Sequence, residues 1–161
     1  FSLLRYLSSQ EFQREYDVCI IDCPPRVTTG TINALISASH LLVPTQPDGL
    51  SLPAAEYFSY QLQRMRPLLF PKLRLLGIVP SLTHQTTKLT DGVGGEVETL
   101  NEYAGRLEDV WNQSGDMVPP IWMDAFIPRT RPIRDAAGKS VAYLRNANAR
   151  SIFDRLGQEV E

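Results

Sequence analysis

Cysteine and histidine are scarce in this sequence, and long apolar runs are absent. Two cysteines in 161 residues form no disulfide framework, and Cys19 and Cys23 with two distant histidines lack the spacing of a zinc site. No apolar run approaches the roughly 18 residues of a membrane span, and residues 1–10 do not have the pattern of a signal peptide. A net charge of −2 with 43% hydrophobic residues is not typical of disorder. The length and composition therefore predict one folded domain, or the larger part of one, in a reduced, cytoplasmic protein.

Charge is unevenly distributed along the chain. Residues 91–124 contain eight acidic side chains and one basic side chain, whereas residues 129–155 contain seven basic and two acidic side chains. One interpretation is a local basic face that binds phosphates. The other is that the two stretches face each other or lie on solvated surfaces.

Short apolar segments of strand type alternate with helical patterns. Strand patterns are found at residues 18–21, 40–45 and 73–80 and within 117–127, with a short extended piece at 140–144. Helical patterns are found at residues 2–14, 31–38, 52–69, 96–112 and 147–160, and the polar, glycine-rich residues 83–95 are predicted to form a loop. This alternation predicts an α/β fold with a layered parallel sheet.

The first predicted strand ends in an aspartate. Val18–Ile21 is a short apolar run typical of a buried parallel strand, so we expect Cys19 to be buried and inert. Asp22 follows it, and Pro24 with Pro25 then ends the strand. Ligands bind at the carboxyl edge of such sheets, and a carboxylate there holds Mg²⁺ directly or through water. The alternative is that Asp22 is a turn or helix-capping residue.

The segment Tyr16–Pro25 resembles the region around the second nucleotide-binding aspartate of ParA/MinD-type ATPases, the deviant P-loop group. Four further segments resemble the same family in the same order, at residues 31–35, 38–46, 73–81 and 127–141. The resemblance covers residues 16–141 and weakens between 83 and 125. Within the family, it is greater to plasmid and chromosome partition ParA proteins than to MinD.

The resemblance implies a three-layer, parallel-sheet P-loop NTPase fold. The glycine-rich phosphate loop with two lysines that the family carries is not found in these residues, and Gly138-Lys139-Ser140 matches only the tail of that pattern. We therefore expect residues 1–161 to be the C-terminal part of a single ParA-like ATPase domain. Residues 83–125 are expected to be a family-variable insert.

The resemblance also implies roles for individual residues around a nucleotide. Asp22 would be the catalytic and metal-binding carboxylate, holding Mg²⁺ through water near the γ-phosphate, and Pro24 and Pro25 would shape the loop that senses that phosphate. The residues implied to line the adenine pocket are Ser81, Leu82, Thr83, Pro128 and Arg129. For each of these pocket residues, the alternative is an ordinary loop position.

Two other surfaces carry implied functions. The arginines implied to contact DNA nonspecifically are Arg131, Arg134, Arg145 and Arg150. The alternative is that these are solvated arginines at helix ends. Asp48 and Gly49 follow the second predicted strand and are candidates for dimer contacts across the nucleotide.

The implied function is an ATP-dependent switch. ATP and Mg²⁺ would lock a homodimer that binds nonspecific DNA, and a ParB-like protein or cargo adaptor would stimulate hydrolysis. No membrane is involved, and the protein would be cytoplasmic and nucleoid-associated when ATP is bound. Two alternatives remain open: an interaction domain or fragment that has lost nucleotide chemistry, and another P-loop enzyme such as a synthetase.

Overall fold

The computed structural model describes residues 2–24, 26–83, 125–136 and 138–160, together with 102, 105, 106 and 109. Helices and strands alternate through these ranges, which confirms the predicted α/β class. The elements are α1 (Ser2–Leu7), α2 (Gln10–Glu15), α3 (Thr29–Ser37), β1 (His40–Thr45), α4 (Ser51–Leu69), β2 (Arg74–Thr83), β3 (Ile127–Pro128), α5 (Arg131–Ala136), α6 (Ala142–Arg145) and α7 (Ala147–Val160). No helix in the described ranges has the length and apolarity needed to cross a membrane.

Polar side chains fix the start of four helices. Each accepts a hydrogen bond from a backbone N–H of the first helical turn, which otherwise has no partner within the helix. The four capping residues are Ser9 before α2, Thr28 before α3, Asp48 before α4 and Asn146 before α7. Local sequence therefore sets these helix boundaries.

The chain divides into two compact units. The first contains Phe1–Leu41 and Phe58–Leu75, and here α1 packs against α3. Its core is a cluster of four buried apolar side chains from α3, α4 and the loop that follows α4: Leu35, Leu62, Phe70 and Leu73. Burial of such side chains contributes about 1.5–3 kcal/mol each, so this cluster stabilises the first unit.

The second unit contains Leu42–Tyr57 and Leu76–Glu161. Among the described residues the sheet has the strand order β1-β2-β3, and β3 runs parallel to β2. Buried Val79 and Ala125 form a cluster here, with partly buried apolar side chains packed against it from β1, β2, β3 and α7: Leu42, Leu76, Ile127 and Leu156. The sheet residues and α7 thus share one core.

Several predicted elements are confirmed by the structure. β1 has the predicted bounds, α4 begins one residue before the predicted 52, and α7 has the predicted bounds. β2 begins one residue later than predicted and continues three residues past 80, because β3 pairs with its C-terminal end. The helix predicted for residues 2–14 is divided into α1 and α2 at Ser8 and Ser9, where Ser9 caps α2.

The strand predicted at residues 18–21 is wrong. Val18 is 77% exposed and Ile20 is 92% exposed, and Cys19, expected to be buried, is exposed as well. No hydrogen bond joins the backbone of residues 17–23 to another described residue. An apolar run forms a strand where a neighbouring strand supplies hydrogen bonds, and in the described part of the chain none lies beside it.

The extended piece predicted at residues 140–144 is also wrong. Residues 142–145 form α6, because Ala, Leu and Arg favour a helix and α6 packs against α7. Of the strand predicted within 117–127, the described residues show β3 alone. The predicted loop at 83–95 and helix at 96–112, and with them the predicted insert, lie largely outside the described residues.

Candidate functional site

Asp22 lies in an exposed segment of the first unit. The residues from Val18 to Pro24 have no helical or strand hydrogen bonding, and Asp22, Cys23 and Pro24 are all exposed. No ion pair involves the Asp22 carboxylate among the described residues. Its oxygens are therefore free to bind a cation or a water on a cation. Pro25, the other predicted loop residue, lies outside the described residues.

The loop after Pro24 is attached to the start of α3. The N–H of Arg26 donates to the carbonyl of Pro24 at 2.7 Å, and the Thr31 hydroxyl donates to the carbonyl of Arg26 at 2.6 Å. Thr28 Oγ1 accepts from the Thr31 N–H at 3.2 Å, and Thr31 is buried. This network holds the loop that follows Asp22 against the N-terminus of a helix.

The second unit holds the predicted base-contacting residues at the carboxyl ends of β2 and β3. Leu82 has φ of +56°, which side chains other than glycine, asparagine and aspartate rarely adopt. Its neighbour Thr83 is fully buried, and the pairing of β2 with β3 is irregular between Ser81 and Thr83. Irregular pairing and backbone strain at the ligand edge of a sheet are typical of functional sites.

β3 brings Pro128 and Arg129 beside this strained turn. Pro128 pairs with Thr83, and the Arg129 N–H donates to the Thr83 carbonyl at 2.7 Å. Pro128 is buried, while Arg129 is exposed. The structure therefore brings together the five predicted base contacts, three at the end of β2 and two at the end of β3. Contact of these five residues with a nucleotide base stays a prediction.

One residue of this edge was not selected from the sequence. Thr130 follows Arg129, and its Oγ1 is buried without a hydrogen-bond partner among the described residues. A buried hydroxyl without a partner is costly, so such groups are typical of sites that a ligand or water completes. In the sequence, Thr130 directly follows Ile127-Pro128-Arg129, a segment that resembles the nucleotide-binding family. Nothing in its identity distinguished it from an ordinary loop threonine.

The four arginines predicted to contact DNA lie on α5, α6 and α7. These three short elements pack in sequence, α5 against α6 and α6 against α7. All four side chains are exposed: Arg131, Arg134, Arg145 and Arg150. Arg134 Nε donates to Asp135 Oδ1 at 2.9 Å, and the Arg150 guanidinium lies over the Tyr143 ring at 5.7 Å. The structure thus places the predicted residues on one group of helices in the second unit.

Asp48, a candidate dimer contact, has a structural role in the second unit. Its Oδ1 accepts the backbone N–H of Ser51 at 2.7 Å and that of Leu50 at 3.0 Å. The hydrogen bond from the Ser51 N–H, followed by that from Leu50, lowers the pKa of the Asp48 carboxyl below its ordinary 3.8. Asp48 therefore caps α4, and its contact with a second copy across the nucleotide stays a prediction.

The described residues offer few protein ligands for a metal ion near Asp22. Among the described residues, no three His, Cys, Asp or Glu side chains are grouped closely enough to hold a metal ion. Mg²⁺ keeps several waters and is often bound by one carboxylate together with phosphate oxygens. The exposed Asp22 carboxylate fits that donor set. A single carboxylate does not provide the four protein ligands that structural zinc needs.

Comparisons with known proteins identify relatives. A family model described as an AAA domain matches residues 4–75. The chain is 28% identical over 121 residues to the chromosome partitioning protein ParA of Caulobacter vibrioides, covering 75% of this chain and 39% of that protein. It is 33% identical over 82 residues to the chromosome-partitioning ATPase Soj of Thermus thermophilus, covering 51% of this chain and 33% of Soj. The matched region thus spans less than two fifths of the length of either relative.

A solved structure has the same fold. The structure titled Cyanthece apo McdA superimposes with a TM-score of 0.72 and 18% sequence identity, over 99% of this chain and 58% of that chain. The chain is therefore similar in sequence to partition proteins named ParA and Soj, and similar in fold to McdA.

Proposed function

We propose that this chain is part of a cytoplasmic ATPase that acts as an ATP-dependent dimerisation and DNA-binding switch. The switch would partition a plasmid or chromosome or position another cargo. The observation that carries the proposal is the sequence Asp22-Cys23-Pro24-Pro25, which lies inside the region matched by the AAA family model. Relatives named as partition proteins and a partition ATPase support the same function.

The structure supports separate roles for Asp22 and for the residues at the ends of β2 and β3. Asp22 is exposed and precedes a loop that hydrogen bonds attach to α3, so its carboxylate is available to Mg²⁺ on a nucleotide phosphate. Bound Mg²⁺ would neutralise charge that develops as the γ-phosphoryl group passes to water. The base would bind at the edge formed by Ser81–Thr83 with Pro128 and Arg129. Thr130 would supply a hydroxyl to the same ligand.

The exposed arginines support contact with DNA phosphates. Arg131 and Arg145 have no ion-pair partner among the described residues, so their charge is not neutralised within this part of the chain. Phosphate contacts of this kind give sequence-independent affinity that falls as salt rises. In the proposed switch, DNA binding belongs to the ATP-bound homodimer. Release follows hydrolysis stimulated by a ParB-like protein or cargo adaptor.

DNA binding is tested with a charge-reversed variant. The double variant Arg131→Glu and Arg134→Glu should weaken retention of a random-sequence duplex by the complete gene product in Mg-ATP by at least about tenfold at moderate salt. The control is Arg5→Glu with Arg14→Glu, which makes the same charge change at exposed residues of α1 and α2. Equal losses in the two variants would overturn the assignment of DNA contact to α5.

A further inference from the structure

An open apolar groove lies in the second unit between α5, the turn that follows it, α6 and α7. Its volume is about 470 Å³. The lining is mainly aliphatic and aromatic, from Ile133, Ala136, Ser140, Val141, Ala142, Tyr143 and Phe153. Val141 is 60% exposed, so apolar surface is open to solvent at the mouth of the groove. Contact with nucleic-acid phosphates does not require an apolar lining of this kind.

The polar groups at the groove are few and are largely hydrogen bonded. The Tyr143 hydroxyl donates to Asp154 Oδ1 at 2.8 Å, and this bond raises the pKa of Tyr143 above its ordinary 10.0. The Ser140 N–H donates to the carbonyl of Ala136 at 2.9 Å. The groove therefore offers mainly apolar contact to an occupant and little hydrogen bonding.

The rim of the groove is basic. Lys139 is exposed and adjoins the lining residue Ser140 in the chain. Arg150 donates from Nε to the Tyr143 carbonyl at 3.4 Å, and its guanidinium lies over the Tyr143 ring. Between residues 129 and 155 the acidic side chains are Asp135, which pairs with Arg134, and Asp154, which accepts from Tyr143. Lys139 and Arg150 have no carboxylate partner among the described residues.

We propose that this groove binds an acidic amphipathic helix of a partner protein. Apolar side chains spaced at i, i+3, i+4 and i+7 would fill the recess, as in other helix-in-groove complexes. Glutamates or aspartates beside them would meet Lys139 and Arg150, and this charge complementarity favours acidic over basic partners.

Binding is tested with a designed peptide and the 161-residue chain. The probe is a fluorescein-labelled helix of about 15 residues with leucines at those spacings, a few glutamates beside them and alanines elsewhere, since shorter helices are marginal in water and runs of like charge destabilise them. The control peptide keeps the leucines and replaces each glutamate by lysine. Fluorescence anisotropy should show saturable binding of the glutamate peptide, at least about tenfold tighter than that of the lysine peptide.

Two variants locate the contact. Val141→Glu and Lys139→Glu should each weaken binding at least about fivefold, because the first removes apolar contact and the second reverses a rim charge. The controls are Leu68→Glu, which also replaces an exposed aliphatic residue by glutamate, and Lys72→Glu, which makes the same charge reversal. Neither residue lines the groove, and both variants should leave binding unchanged. Circular dichroism and thermal melting establish that all four variants are folded.

Four results would overturn the proposal. They are equal affinity for the two peptides, binding that Val141→Glu leaves intact, self-association of the chain that Val141→Glu abolishes, and binding to anionic vesicles but not to the peptide. The third would assign the groove to a second copy and the fourth to a lipid surface. Arg150 is also one of the arginines proposed to bind DNA, so a short random-sequence duplex is tested in parallel, and Val141→Glu should weaken binding of the peptide but not of the duplex.

Discussion

The backbone N–H of Arg129 donates to the carbonyl of Thr83 at 2.7 Å, joining the end of β3 to the end of β2. Pro128, which pairs with Thr83, has no N–H to donate, so this bond depends on the residue that follows the proline. The two segments of the proposed base site are therefore connected through the backbone.

This connection predicts a difference between two variants of Arg129. Arg129→Pro removes the donor and should lower the free energy of unfolding by about 1–3 kcal/mol, because it leaves the carbonyl of fully buried Thr83 without this bond. Arg129→Ala keeps the N–H and should change it by less than about 0.5 kcal/mol. Urea denaturation measures both. Equal stability of the proline and alanine variants would contradict the role of this bond.

The backbone at Leu82 predicts a second pair. Leu82→Asn should be more stable than Leu82→Val by about 1 kcal/mol, because asparagine tolerates φ of +56° and a β-branched side chain does not. Leu82 is 40% exposed, so both replacements lose similar packing. The comparison is made by thermal and urea denaturation. A valine variant as stable as the asparagine variant would mean that the backbone there is not strained.

The capping role of Asp48 predicts a pH dependence. A carboxyl whose pKa is lowered on folding contributes stability that is complete above its unfolded pKa, near 3.8, and lost as pH falls through the lower folded value. Asp48→Ala should cost about 1 kcal/mol at pH 7. Its deficit relative to wild type should shrink below pH 3.8.

Asp48→Asn is the control for this prediction, since the amide oxygen still caps the helix and does not titrate. Urea denaturation between neutral pH and pH 3 compares the three proteins. A deficit of Asp48→Ala that stays constant over this range would show that the ionised carboxylate contributes nothing to α4.

The exposed segment at residues 18–23 predicts tolerance to substitution. Ile20→Ala should change the free energy of unfolding of the 161-residue chain by less than about 0.5 kcal/mol, because Ile20 is 92% exposed. Ile78→Ala makes the same change at a fully buried position of β2 and should cost about 2–5 kcal/mol. Similar losses at both positions would mean that Ile20 is buried in a strand, as its sequence suggests.

Sequence patterns predicted α3, β1 and α7, whose causes are local. Thr28 and Asn146 cap α3 and α7, and the apolar residues of α7 recur at helical spacing around Ile152 and Leu156. The apolar run of β1 likewise occurs where it was predicted. In these cases, the residues that set the boundaries lie within a few positions of the element.

Features that depend on distant residues were not predictable in the same way. The run around Ile20 has strand composition, but its exposure is decided by which strands lie beside it. The positive φ at Leu82 and the unpartnered hydroxyl of Thr130 arise from the pairing and packing at the ends of β2 and β3. Leucine and threonine carry no local signal for either feature.

The central claim is that Asp22 takes part in an ATP-dependent dimer. Intact mass is first determined for the complete gene product, and its sedimentation is then measured with and without Mg-ATP. Mg-ATP should convert monomer to dimer, and Asp22→Ala should abolish that change, while Asp17→Ala, a matched change at a nearby residue, should preserve it. An unchanged sedimentation coefficient in Mg-ATP, or a dimer that Asp22→Ala still forms, would contradict the account.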